Sequence, residues 1–154
     1  MKRKLHSRHG VALTEMLVAI AVLGLLTAAV VTGIYASVPV YQQSVALSEA
    51  SVLTSTLSQA ITDELHFARN ITAFGDTVTF TSRNYGQNVS FSVNDKGHIT
   101  LGGTELIGSG AYSNLHAIIA ASYDNSLFMV KLTIQKSDFT VRETTFYVRP
   151  INAV

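Results

Sequence analysis

The sequence predicts an α+β protein: one long N-terminal helix, transmembrane in its first half, packed by its second half on a C-terminal antiparallel β-sheet. Three observations predict this class. Residues 16–40 form an apolar run without a charge, residues 41–71 contain no Gly or Pro and carry apolar residues every three or four positions, and residues 77–149 alternate apolar and polar side chains. A chain of 154 residues is long enough for one compact domain of ordinary size.

The N-terminus is a short basic tail, a glycine and then the apolar run. Lys2, Arg3, Lys4 and Arg8 precede Gly10, and only Gly24, Thr27, Thr32, Gly33, Tyr35, Ser37 and Pro39 interrupt the apolar residues from 16 to 40. A bilayer core of ~30 Å needs about 20 helical residues, which this run supplies. The basic residues before it place the tail in the cytoplasm and everything after Val40 outside. A secretory signal cut near Ala36 is one competing reading, but its apolar core usually has about 7–15 residues, fewer than here. An uncleaved anchor is the other.

Glu15 separates these readings, because it lies one residue before the apolar run. A charged side chain at bilayer depth costs on the order of 3 kcal/mol on insertion scales and is rarely kept without a partner or a function. An anchor gains nothing from it. If the chain were cut after Gly10, Val11 would carry a new α-amine, and Glu15 lies four residues on, on the same helical face. The helix N-terminus also favours a negative side chain in its opening turns.

The segment Arg8-His9-Gly10-Val11-Ala12-Leu13-Thr14-Glu15-Met16-Leu17-Val18-Ala19-Ile20-Ala21-Val22-Leu23-Gly24-Leu25-Leu26 resembles the cleavage and methylation segment of type IV prepilins and type II secretion pseudopilins. The resemblance implies that a prepilin peptidase cuts after Gly10 and methylates Val11, and that Glu15 guides docking and register in a growing filament. It divides the chain into a cleaved basic leader (1–10), a transmembrane and assembly helix (11–40) and an extracytoplasmic pilin-like head (41–154). The family usually carries Phe, or less often Met or Leu, at the position of Val11, and an apolar residue at that of Thr14.

Beyond Pro39 the helix is expected to continue to about Asn70, so the head comprises a helix over 41–71 and a sheet over 77–149. Ala46, Ala50, Leu53, Leu57, Ile61, Leu65 and Ala68 form a narrow apolar stripe for core packing. Gly24, Gly33 and Pro39 are the points at which the helix can bend or open. Val78 and Phe80 begin the strand pattern, Val89, Phe91 and Val93 continue it, and Asn94-Asp95-Lys96-Gly97 is a turn into Ile99 and Leu101. Strands are expected over 115–123 and 126–135, with Phe128, Val130, Leu132 and Ile134 on one face. A last strand over about 140–149 has Thr144, Phe146 and Val148 on one face and is ended by Pro150.

No catalytic, cofactor or metal constellation is expected. The absence of cysteine excludes disulfides, thiolate metal sites and a Cys nucleophile, and no zincin, nucleophile-elbow or P-loop motif is present. The pairs Gly102-Gly103 and Gly108/Gly110 read as turns. His6 and His9 fall in the leader, while His66, His98 and His116 are scattered and read as surface or half-buried residues rather than ligands. Asn70-Ile71-Thr72 and Asn88-Val89-Ser90 match the glycosylation sequon, which carries little weight in a bacterial protein, as the resemblance implies. Asp95, Asp124 and Asn125 lie in turns without a calcium-ligand series.

The net charge of +1 conceals an asymmetry: residues 11–154 hold seven of the eleven Lys/Arg and all ten Asp/Glu. That acidic body disfavours nucleic acid, for which no clear site is seen. The expected function is therefore structural, not enzymatic: a pilin-like subunit of a type IV pilus, type II secretion pseudopilus or competence pilus. Its expected partners are prepilin peptidase, other pilin-like subunits and the inner or cytoplasmic membrane, and its destination is a cell-surface filament. A minor subunit whose head contacts DNA, a surface or exported cargo is a binding-class rival. The alternative outside the family is a single-pass membrane-anchored binding or sensor protein with an uncleaved N-terminus.

Overall fold

The computed structural model describes the backbone of residues 9–75, 77–137 and 139–151, and side chains within this set from Leu13 onward. The expected leader therefore lies almost wholly outside the described residues. The chain forms two compact units, Met1–Gln43 and Ser44–Val154. One helix, α1 (His9–His66), provides the first unit and opens the second, running unbroken through Gly24, Gly33 and Pro39.

In the first unit every described side chain of α1 is exposed, the large apolar ones included, for example Leu13, Met16, Ile20 and Leu25. Its hydroxyls turn back onto the helix: Thr27 Oγ1 donates to the Leu23 carbonyl at 2.7 Å and Ser37 Oγ to that of Gly33 at 2.8 Å. Thr32 Oγ1 does the same to Ala28 at 3.0 Å and Ala29 at 2.9 Å. Such back-bonding removes the cost of carrying a hydroxyl into an apolar medium.

In the second unit α1 presents the expected stripe. Ala46, Ala50, Leu53, Leu57, Ile61 and Leu65 are all buried, as is Ala68 just past the helix. The helix stops at His66, not at Asn70 or residue 71. Ala68 N–H bonds the Leu65 carbonyl at 3.2 Å, and Ile151 N–H caps the His66 carbonyl at 2.9 Å. Arg69–Phe74 then form strand β1 instead of a last helical turn. Asn70, at φ 48, sits at the irregularity of β1 between Arg69 and Thr72, where Asn tolerates the left-handed region. Nothing local forbade another helical turn; the ladder to the next strand outcompetes it.

The strands form three three-stranded antiparallel sheets where the sequence predicts one. The first joins β1 to β2 (Thr77–Ser82) and β3 (Gly86–Val89); the second joins β4 (Phe91–Val93), β5 (Ile99–Leu101) and β6 (Thr104–Glu105). The third joins β7 (His116–Asp124), β8 (Leu127–Lys136) and β9 (Phe139–Val148). The alternation over 89–93 thus serves two sheets: Val89 pairs with Phe80, whereas Phe91 pairs with Leu101. Ser90 lies between the two ladders and accepts a bond from Gly102 N–H at 3.4 Å.

The turns obey their local chemistry. Asn94 Oδ1 accepts from Lys96 N–H at 3.0 Å and His98 N–H at 2.9 Å, and Gly97 supplies φ +73. A Cβ at Gly97 would collide with the His116 ring. Asn125 and Ser126, at φ 49 and 62, make the two-residue link of β7 to β8 that a tight hairpin requires. Gly102-Gly103 and Ser109–Ala111 are turns, as expected.

The core lies between α1 and the sheets. Leu53, Leu57, Ile61 and Leu65 join Phe80, Ile99, Leu101, Phe128, Val130, Leu132 and Ile134, every one of them at most 1% exposed. Phe80 touches Phe91 at 5.6 Å and Phe128 edge-on at 6.1 Å between centroids, so one ring links all three sheets. At the sheet margin Arg142 donates to Ser51 Oγ of α1 at 2.7 Å.

Candidate functional site

The sequence places the candidate site at the start of α1. Gly10 and Val11 lie on its helical backbone, although their side chains fall outside the described set. Glu15 is exposed on the helix four residues beyond Val11, a rise of about 6 Å along the axis. Residues one turn apart share a face, so the backbone brings Glu15 over the position at which a cut after Gly10 would create an amine. Thr14, adjacent to it, is also exposed.

The helix beyond Glu15 is suited to lipid or to other apolar helices. Among the described residues α1 is the one helix long and apolar enough to cross a membrane. It is apolar around its whole circumference over 16–40, and its hydroxyls are satisfied within the helix. Tyr35 and Tyr41, both exposed, lie towards the end of that stretch, where amphipathic rings suit a membrane–water boundary.

Residues 5–31 match the family model for the prokaryotic N-terminal methylation motif. Together with the apolar helix, this match fits a type IV pilin-like prepilin segment. The match takes in Gly10, Val11, Glu15 and the first half of the apolar stretch, and such segments are substrates of prepilin peptidase. No curated protein and no solved structure matches the chain. The motif thus speaks for the N-terminal segment, and the head is described by its own geometry.

In the head the histidines occupy three different settings. His66 is exposed at the end of α1. His116 Nδ1 lies 3.1 Å from the Lys96 carbonyl. His98 is buried, stacked on Tyr112 with centroids 4.0 Å apart, and its Nδ1 lies 3.0 Å from Glu105 Oε1. Asn94 Nδ2 donates to the same carboxylate oxygen at 3.1 Å, and the buried Tyr112 hydroxyl accepts from Ile99 N–H at 2.8 Å. The hydrogen bond from His98 holds the Glu105 carboxyl below its usual range, and burial pushes the Tyr112 phenol up. This network ties the β4–β5 turn to β6 and to the turn at Tyr112; it is structural in character.

Asp95, Asp124 and Asn125 lie in or beside turns, and Asn125 Nδ2 donates to Asp124 at 3.0 Å. The sequon residues Asn70 and Asn88 are exposed, with Asn70 Nδ2 3.5 Å from Thr81 Oγ1. Sequence reasoning missed one feature of the head, a cleft lined by Arg69 and Arg83. No short-range pattern marks it, because the cleft gathers residues from β1, from the turn after β2 and from near Ile151.

Proposed function

We propose that the chain is the precursor of a pilin-like structural subunit of an extracytoplasmic filament, cut after Gly10 and methylated at Val11. The observation that carries this reading is the methylation motif over 5–31, with Glu15 five residues past Gly10 on an exposed apolar helix. Lys2, Arg3, Lys4 and Arg8 hold the leader in the cytoplasm, and the head folds outside. Cleavage removes those four cations and frees an amine that pairs with Glu15 of its own or a neighbouring chain.

The physical effect is a change in what the helix prefers. In lipid, the apolar side chains are well solvated, but Glu15 is costly when unpaired. Against other helices the apolar burial is retained while an amine neutralises the acid. Because lipid tails are as apolar as leucine, burial of Leu17 or Leu25 differs little between the two settings. The acid then becomes the term that selects the docked state. Type IV pili, secretion pseudopili and competence pili share these steps.

The test is the N-terminal mass of the protein recovered from membranes of its own host. A terminus at Val11, with or without an added methyl group, is the expected result. Mature protein retaining Met1 would remove the amine that Glu15 needs and leave a simple membrane-anchored binding or sensor protein.

A further inference from the structure

Residues 11–154 carry three more acids than bases, so each of their seven Lys/Arg has ample opportunity for an acidic partner. Lys131 uses it, at 3.0 Å from Glu143, and Arg142 bonds Ser51. Arg69 and Arg83 do not. Both line one cleft of about 490 Å³, together with Phe67, Thr81, Ser82 and Ile151. Neither guanidinium has a hydrogen-bond or ion-pair partner among the described residues.

The fold brings these two cations together. Arg69 opens β1 and stands opposite Thr81 of β2, and Arg83 lies two residues past Thr81. Arg83 lies in the turn that follows β2, and both side chains line the same cleft. Like charges so placed repel, and among the described residues neither is paired with an acid. Glu64 is engaged elsewhere, accepting from Ser82 Oγ at 2.6 Å and from Asn84 Nδ2. The end of α1 accounts for only part of this charge, since the His66 carbonyl is already capped by Ile151 N–H. Phe67 and Ile151, both exposed, supply the apolar part of the wall.

We propose that this cleft is an oxyanion site, in which Arg69 and Arg83 clasp one carboxylate or phosphate group and Phe67 and Ile151 flank the apolar part of the ligand. A guanidinium offers a planar pair of N–H donors that matches such a group. Two of them converging on one anion relieve their mutual repulsion and fill the donors that the chain leaves unused. The site lies wholly in the second unit and is independent of how the N-terminus is processed.

The experiment is a titration of the full-length chain in detergent micelles, monitored by the backbone amide resonances of the cleft residues Phe67, Thr81, Ser82 and Ile151. Two probes are compared: inorganic phosphate, and a blocked Leu-Glu dipeptide whose only charge is the side-chain carboxylate. A saturable shift of these amides, with an affinity weakened about tenfold or more in R69Q/R83Q, is expected. Stronger binding of the dipeptide assigns the site to an acidic side chain of another polypeptide; stronger binding of phosphate assigns it to a free anion. R69K/R83K keeps the charge near the helix end but loses the fork, and its affinity should fall between the two. No saturable shift with either probe, or equal shifts in the R69Q/R83Q variant, would overturn the proposal.

Discussion

His98 and Glu105 show how one hydrogen-bonded pair acquires consequences through its neighbours. The ring is buried against Tyr112, so its Nδ1 is held facing Glu105, whose carboxylate also receives Asn94 and has Lys96 nearby. The depressed Glu105 carboxyl favours the folded state above the usual carboxylate range. That contribution is lost as pH falls through the lowered folded value. Tyr112 has the opposite sign: its raised phenol favours folding below the ordinary tyrosine range, and the benefit disappears as pH rises through the raised value. Comparing the unfolding midpoints of wild type and Glu105→Gln across pH should therefore show a gap at neutral pH that closes in acid. A gap independent of pH would remove the carboxylate from this role.

At the scale of elements, the stripe on α1 was legible because its period is that of the helix and its residues differ in polarity from those between them. Leu57 is fully buried in the core, so Leu57→Ala should cost about 2–5 kcal/mol. Ser55→Ala, exposed two residues away, should change stability by less than about 0.5 kcal/mol. Chemical unfolding of the full chain in micelles measures both. The β7–β8–β9 meander was legible for a similar reason, since Phe128, Val130, Leu132 and Ile134 alternate cleanly and are all buried. The end of α1 was not. Residues 67–71 lack a breaker, and only the pairing of Arg69 with Thr81 and Thr72 with Thr79 makes a strand of them. The split of 89–93 was hidden likewise, because alternation reports a face and is silent on the partner strand.

For the whole molecule, the decisive asymmetry is chemical: a basic tail, then a single acid, then an uncharged apolar stretch over 16–40. Glu15→Ala should leave membrane insertion unchanged, because removing a charge near the apolar run only favours lipid. Incorporation into filaments should fall by at least about tenfold, the loss of roughly 1.4 kcal/mol of docking preference. Comparing membrane and filament fractions of the two proteins in the host measures this. Filaments formed at the wild-type level by the variant would show that docking does not need the acid.

The sequence by itself determined the features that depend on residues near one another along the chain. These are the basic tail, Gly10 and Glu15 at their spacing, a membrane-length apolar helix, the buried stripe, the turn at Asn94–Gly97 and, one residue later than expected, that at Asn125–Ser126. Each rests on local geometry, on helical rise and period, on strand alternation or on the φ that a turn residue tolerates. Only the tertiary structure decided where α1 ends, that the strands divide into three sheets, that His98 is buried on Tyr112, and that Arg69 and Arg83 share a cleft. Those outcomes depend on which distant strand completes a ladder, and that competition is settled by packing between residues far apart in sequence.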